Sequence, residues 1–244
     1  MTDLPRAQTR LYVAADLAAG GEVVLDAAQA HLVRSVLRLE AGAHLGLFNG
    51  RDGEWLAEVS EAGRGRGALA CRRRVRPQVA GPDLWLLFAP VKKARTDFIV
   101  EKAVELGVAR ILPVLTERTN SERFRHDKAE AHVREAAEQC GALCLPEVAE
   151  AAPLDRVLAG WDPSRHILWA DEAEAGAAVT LAALPDGPGA VLVGPEGGFS
   201  GVERARLGTL PFVHAVALGP RILRAETAAL AALTLWQAAR GDWR

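Results

Sequence analysis

Two short stretches in the last third of the chain carry the residue types that ligand chemistry uses. The first is Gly194-Pro195-Glu196-Gly197-Gly198-Phe199-Ser200, which follows the apolar run Ala190 to Val193. A glycine-rich loop at the carboxyl end of a parallel strand lets backbone approach a ligand closely and adopt angles closed to other residues. Its spacing is not the dinucleotide fingerprint, because G-x-G-x-x-G is absent, and not a phosphate-binding Walker loop, because no Lys-Ser/Thr follows. Ser200 and Glu203 stand at the spacing of a capping box, so a helix should open there. A plain strand-to-helix turn fits the same residues. The second stretch, Leu218-Gly219-Pro220-Arg221-Ile222-Leu223-Arg224-Ala225-Glu226-Thr227-Ala228, leaves the next apolar run and enters the last helix. It crowds Arg221, Arg224 and Glu226 into a loop where no core packing demands charge, although Arg224 and Glu226 also suit a solvated helix start. On successive strands, the two loops would frame one cleft.

Charge gives a third feature. Residues 1–80 hold eleven Arg against nine acids, while 81–244 hold eighteen basic against twenty-two acidic residues, within a net charge of −2. The excess is local: Arg64, Arg66, Arg72, Arg73, Arg74 and Arg76 fall in one stretch. Guanidinium groups match phosphate and stack on bases, so the stretch could track an RNA backbone. It could equally be a solvated edge strand whose charges block aggregation. Lys92-Lys93, after the first strand of the second half, either line a cleft or stand as a solvated pair.

The elements that would position these residues change character along the chain. Up to residue 75 the pattern reads as short strands, Leu11 to Ala14, Glu22 to Leu25, His44 to Phe48, Trp55 to Val59 and Ala68 to Arg73. One helix, His31 to Leu39, interrupts them, and Asn49-Gly50-Arg51-Asp52-Gly53 signals a hairpin. A small β-barrel over residues 1–76 is expected. Arg76 to Asp83 is polar, carries two prolines and reads as the linker. Residues 77–244 then alternate strands (Leu84 to Ala89, Arg110 to Leu115, His166 to Ala170, Ala190 to Val193, Val213 to Leu218) with helices (Thr96 to Leu106, Lys128 to Cys140, Leu154 to Leu158, Val202 to Leu207, Ala225 to Ala239). That alternation marks an α/β domain with a mostly parallel sheet covered on both faces.

Half the residues are apolar and a quarter charged, the profile of a folded domain rather than a disordered chain. No apolar run approaches the roughly 20 residues needed to span a bilayer, and Met1 to Arg10 lacks the apolar core of a signal peptide. A cytoplasmic protein without membrane association is expected. Cys71, Cys140 and Cys144 are too few for a disulfide framework, and although Cys140 and Cys144 sit one helical turn apart, no second Cys or His pair stands at zinc spacing, so no metal site is expected.

The two loops together resemble the signature pair of the RsmE family, the ribosomal small-subunit RNA uridine-N3 methyltransferases of the SPOUT superfamily. Arg10-Leu11-Tyr12-Val13, His31 with Val36-Leu37-Arg38, Glu101-Lys102-Ala103-Val104-Glu105-Leu106-Gly107-Val108, Glu138-Gln139-Cys140 and Gly241-Asp242 extend the likeness over nearly the whole chain. The resemblance implies a PUA-like barrel, then a SPOUT α/β domain with a C-terminal trefoil knot, and a homodimer. It implies S-adenosyl-L-methionine as cofactor, in a pocket of knotted loops: Leu168 and Ala170; Gly194, Pro195, Glu196, Gly197 and Gly198; Leu218, Gly219, Arg221, Ile222, Leu223 and Thr227. The substrate it implies is 16S ribosomal RNA in an assembled or partly assembled small subunit. Relatives usually carry Arg where this chain has Ala142, and no RNA contact is assigned there.

Methylation of a uridine N3 needs its imide proton removed before the lone pair can attack. Arg224 and Arg10 are the candidates to stabilise the uracil anion, and Glu226 or Glu196 to take the proton. Arg10, Arg34, Arg38, Arg64, Arg66, Arg72, Arg73, Arg74, Arg76, Lys92 and Lys93 are the candidate RNA contacts. Two rivals stand beside this reading. One is a ribose 2′-O methyltransferase of the same superfamily, whose Ser-Leu-Asn-Val and early Asn-Arg are absent here; the other is a non-catalytic RNA-binding ribosome-assembly factor.

Overall fold

The computed structural model describes residues 7, 9–63, 66–120, 124–171, 181–182, 184 and 186–243. It divides into two units, Met1–Ala80 with Ala137–Cys144, and Gly81–Ala136 with Leu145–Arg244.

The first unit is built on strands β1 (Arg10–Tyr12), β2 (Glu22–Val24), β3 (His44–Phe48), β4 (Glu54–Gly63) and β5 (Arg66–Arg76). They pair in the order β1-β3-β4-β5-β2, with β1 parallel to β3 and the rest antiparallel. The expected hairpin joins β3 to β4. Asn49 Oδ1 accepts from the backbone N–H of Arg51 and Asp52, and Gly53 sits at φ 80° where a Cβ would stand 2.3 Å from the Arg76 carbonyl. Leu11, Val23, Leu45, Leu47 and Leu69 fill the core. The helix expected over His31 to Leu39 begins earlier. Asp26 and Gln29 form a reciprocal capping box that opens α1 (Ala27–His31), which continues as a π-helical turn, Leu32–Val36, and places Val33 in the core. Strand β5 departs from regular register against β4 at three points. Such bulges break the two-residue alternation, and all five residues from Arg72 to Arg76 are exposed.

The second unit holds a parallel sheet of β6 (Leu84–Phe88), β7 (Arg110–Leu115), β8 (Glu147–Val148), β10 (His166–Ala170), β11 (Gly189–Val193) and β12 (Val213–Val216), ordered β12-β10-β11-β6-β7-β8. A further short strand, β9 (Ala152–Pro153), also pairs with β7. The two-residue strands β8 and β9 are too short to leave a pattern in the sequence. Every residue of β11 is buried, as expected of a strand covered on both faces. The helices are α2 (Lys93–Glu105), α3 (His126–Cys140, its last turn in the first unit), α4 (Leu154–Ala159), α5 (Gly201–Thr209) and α6 (Ala225–Arg240).

Helix α6 buries Ala225, Ala228, Ala229, Ala232, Leu233 and Trp236, an i, i+3, i+4, i+7 stripe whose small residues let it lie close to the sheet. A Cβ on Gly189 would meet the Trp236 ring at 1.8 Å. Buried Gln237 donates to the Leu106 carbonyl at the end of α2, so α6 and α2 are fixed to each other. Arg165, also buried, donates to the Asp83 and Gly189 carbonyls and the Asp83 carboxylate, and its guanidinium lies 3.8 Å from the Trp85 ring centroid. Among the described residues no helix is long and apolar enough to cross a membrane.

Arg10 is where the structure redirects an expectation. Its side chain is 14% exposed and ion-paired to Glu54 at 3.2 Å. It donates to the carbonyls of Ala137, Glu138 and Ala142 around the C-terminal end of α3, and stacks 4.2 Å from the Phe48 ring centroid. A cation at a helix C-terminus satisfies orphan carbonyls and complements the helix dipole. With its donors spent inside the first unit, Arg10 acts as a tie rather than as an anion stabiliser or an RNA contact. Arg10→Ala should therefore cost about 2–3 kcal/mol in urea unfolding. That is below the ~3–5 kcal/mol of a fully broken buried pair, because Arg76 remains 2.8 Å from Glu54. Arg10→Lys should recover only part, since one ammonium cannot reach three carbonyls. A loss under about 0.5 kcal/mol would return Arg10 to chemistry.

Candidate active site

Strand β10 lies between β11 and β12, and the three run parallel with their carboxyl ends nearly level: Trp169 pairs with Leu192 on one side and Ala215 on the other. The loops leaving them therefore converge. A cavity opens there, walled by Ala170 and Asp171 after β10, by Val193 to Glu196 with Gly198 and Phe199 after β11, and by Val216 with Leu218, Gly219 and Arg221 to Leu223 after β12. Ala225 and Ala228 of α6 close it. The middle loop is shaped locally. Gly198 N–H donates to the Pro195 carbonyl at 2.9 Å with Gly198 at φ 65°, and the Ser200–Glu203 capping box starts α5 as the spacing requires.

The structure brings Ala170, Gly194, Pro195, Glu196, Gly198, Leu218, Gly219, Arg221, Ile222 and Leu223 to this wall. It does not bring Leu168, Gly197 or Thr227. Leu168 is fully buried within β10, and Thr227 is exposed on α6. Gly197 is turned to Arg118, whose guanidinium donates to its carbonyl at 2.9 Å. Asp171 lies within the strand end, Leu168 to Glu172, expected at the pocket, whereas Phe199 and Arg204 also line the cavity and were not among the expected residues. Asp171 is buried and pairs with Arg204 at 2.9 Å. An acid placed directly after an apolar strand is its signal in the sequence.

The two glutamates singled out from the sequence share one partner. Arg95, in the first turn of α2, donates to Glu196 Oε1 at 2.9 Å, and its Nε stands 3.5 Å from Glu226 Oε1. Glu226 is 16% exposed with its Oε2 buried and unbonded, whereas Glu196 is 41% exposed. Arg95 was not among the expected residues. Its signal is weak but physical, since a cation in a helix's first turn opposes the dipole and needs a reason. Arg224 caps α6 with extended backbone and no side-chain cap bond. Its side chain is exposed and makes no ion pair among the described residues.

The expected RNA contacts divide by how their charge is spent. Arg34, Arg38, Arg73 and Arg74 are exposed. Arg72 pairs with Glu58 at 3.0 Å, Arg76 with Glu54, and Lys93 with Asp97 at 2.5 Å. Lys92 is exposed at the start of α2. Arg64 and the side chain of Arg66 lie outside the described residues.

Comparison with known proteins agrees with this geometry. A family model described as the RNA methyltransferase domain matches residues 80–237, and one described as the RNA methyltransferase PUA domain matches residues 25–68. The chain belongs to the RNA methyltransferase family. Among its relatives, ribosomal RNA small subunit methyltransferase E of Mycobacterium bovis is 31% identical over 248 residues, covering 91% of each chain. The same-named protein of Rickettsia conorii is 29% identical, covering 92% of this chain and 93% of that one. The solved structure of ribosomal RNA small subunit methyltransferase E from Neisseria gonorrhoeae, bound to S-adenosyl methionine, matches with TM-score 0.87 at 28% identity, covering 97% of this chain and 99% of that one. A Legionella pneumophila methyltransferase solved with the cofactor SAM matches with TM-score 0.88 at 29% identity, covering 98% and 100%.

Two glycines of the middle loop separate wall from turn in this family member. A Cβ on Gly194 would meet the Phe199 ring at 2.8 Å, and that ring packs edge-on against Trp169. On Gly197 it would meet only Arg118, the side chain at 3.4 Å and the carbonyl at 4.0 Å. Gly194→Ala should cost about 1–3 kcal/mol, as overpacking does, and Gly197→Ala should stay within about 0.5 kcal/mol. Urea unfolding of both variants checks the pair, and equal costs would remove the distinction.

Proposed function

We propose that the protein transfers a methyl group from S-adenosylmethionine to N3 of a specific uridine in small-subunit (16S) ribosomal RNA. The observation that carries this reading is the cavity at three adjacent parallel strand ends, beside two arginine-bridged glutamates, in a chain of this family. The cavity suits the cofactor. Val193, Phe199, Val216 and Leu218 offer apolar surface to a flat base, and glycines leave backbone open to close approach. Ala170, Gly194, Pro195, Glu196, Gly198, Leu218, Gly219 and Arg221 to Leu223 would hold it. When bound, it supplies an electrophilic methyl group on sulfur.

The protein's own residues then have three tasks. The first is alignment of donor and acceptor, which the rigid strand ends supply. The second is removal of the imide proton. Arg95 holds Oε1 of Glu196 and leaves Oε2 of that more exposed carboxylate for the proton, while half-buried Glu226 keeps Arg95 in place. The third is stabilisation of the uracil anion, for which Arg224 is placed at the loop's end with its guanidinium unspent.

The acceptor base would have to leave its stack, and Arg34, Arg38, Arg73 and Arg74 supply exposed cations for the flanking backbone. The trefoil knot, a partly or fully assembled subunit as substrate, the cytoplasm and a homodimer belong to the same reading. Exposed Val202 and Ile222 beside the cavity favour the dimer. Sedimentation should give about twice the 26.0 kDa of one chain, and a monomer would remove that part.

Arg224→Ala should lower the single-turnover methylation rate about 10²-fold, as when one preorganised donor is lost, with cofactor affinity little changed. The interaction strengthens as the proton departs and so belongs to the transition state. Arg224→Lys should rescue in part, the planar fork being lost. A near-normal rate for the Ala variant at saturating RNA would make Arg224 a binding residue. Mapping methylated nucleosides in the RNA product tests the acceptor atom, and a ribose 2′-O product would overturn it.

A further inference from the structure

A second cleft of about 420 Å³ lies in the same unit, between the first turns of α2 and α3. Its volume falls within the roughly 300–1,000 Å³ of small-ligand sites. Four cations line it, Lys92, Lys93, Arg125 and Lys128, together with Asn120 and the half-buried ring of Phe124. Two of the four are neutralised, Lys93 by Asp97 at 2.5 Å and Arg125 by Asp127 through bonds of 2.9 and 2.7 Å. Lys92 and Lys128 have no acidic partner among the described residues, which leaves two ammonium groups uncompensated within that set. Phe124 packs edge-on against buried Phe88, ring centroids 6.4 Å apart, which fixes its plane at the cleft wall.

We propose that this cleft binds one nucleotide of single-stranded RNA flanking the target base, its phosphate on Lys92 and Lys128 and its base on Phe124 with Asn120 at the base edge. The proposal rests on the RNA methyltransferase reading and adds a subsite to it. Its position supports the assignment. Lys92 follows the carboxyl end of β6, next in the sheet to β11, whose end begins the cavity loop. The same turn of α2 carries Arg95 to Glu196 at the cavity wall. Ammonium groups hold phosphate as point charges, and aromatic faces hold bases without regard to sequence.

The test measures binding of a short single-stranded oligoribonucleotide to the full chain against salt concentration. Lys92→Ala/Lys128→Ala should flatten the log–log salt slope by about 0.7, the single-strand value for one phosphate, with S-adenosylmethionine affinity unchanged. Phe124→Leu, which keeps the packing on Phe88, should weaken binding about fivefold or more at unchanged slope. Arg156→Ala, exposed on α4, should leave the slope as in the wild type. An unchanged slope in the double variant, while the wild type binds and methylates RNA, overturns the cleft and spares the enzymatic reading. So does an equal change in Arg156→Ala, which would make net charge the cause, or a nucleoside monophosphate that binds as tightly as the strand. A wild type that neither binds nor methylates RNA overturns both.

Discussion

Everything at the candidate site depends on β10 being paired on both sides with parallel strands whose ends are level with its own. Parallel pairing sends each connection over the sheet and back, so a crevice forms outside the carboxyl ends where the strand order reverses. Here the order β12-β10-β11 makes the loops leaving those three ends neighbours. Two close contacts hold that order. Gly189 yields its side-chain space to Trp236, and Arg165 joins the amino-terminal starts of β6 and β11. A Cβ at the first position or a lost guanidinium at the second would disturb the sheet at the edge opposite the cavity, so the shape of the site is set by packing at its far end.

The same scaffold fixes the electrostatics. Gln237 binds the end of α2 to α6, and these two helices carry Arg95 and Glu226. A partly buried glutamate with one unbonded oxygen is costly unless a cation stands near it, and Arg95 stands 3.5 Å away. Because Arg95 also holds Glu196, the more exposed acid is oriented by the less exposed one. An acid fixed in this way can take a proton without first searching for its position, which is the physical content of preorganisation.

In the first unit, charge serves two different ends. Arg10 and Arg76 converge on Glu54 and on carbonyls near the end of α3, where they stabilise the unit. Arg73 and Arg74, in the bulged part of β5, remain exposed. A run of arginines in a sequence looks uniform, yet bulges and local acids decide which members are left exposed and unpaired among the described residues.

The sequence by itself determined the elements and the loops. Most strand and helix periodicities, the Asn49 to Gly53 hairpin, the Ser200–Glu203 capping box and the two glycine-bearing loops depend on neighbours a few residues away, and the structure shows them, whereas the helix expected over His31 to Leu39 starts at Ala27 and turns π-helical. Ten of the thirteen residues expected to hold the cofactor line the cavity for the same reason. Tertiary structure alone decided which charges are free. Arg10 looked available because Glu54 lies 44 residues away and the carbonyls it binds more than 120, and Arg95 looked ordinary because Glu196 lies 101 residues away. Gly197 sits in the right loop, but Arg118 determines which way it turns. Local propensity acts through the backbone of a short segment, whereas an ion pair, a buried oxygen or a cavity wall exists only once distant segments have been packed against one another.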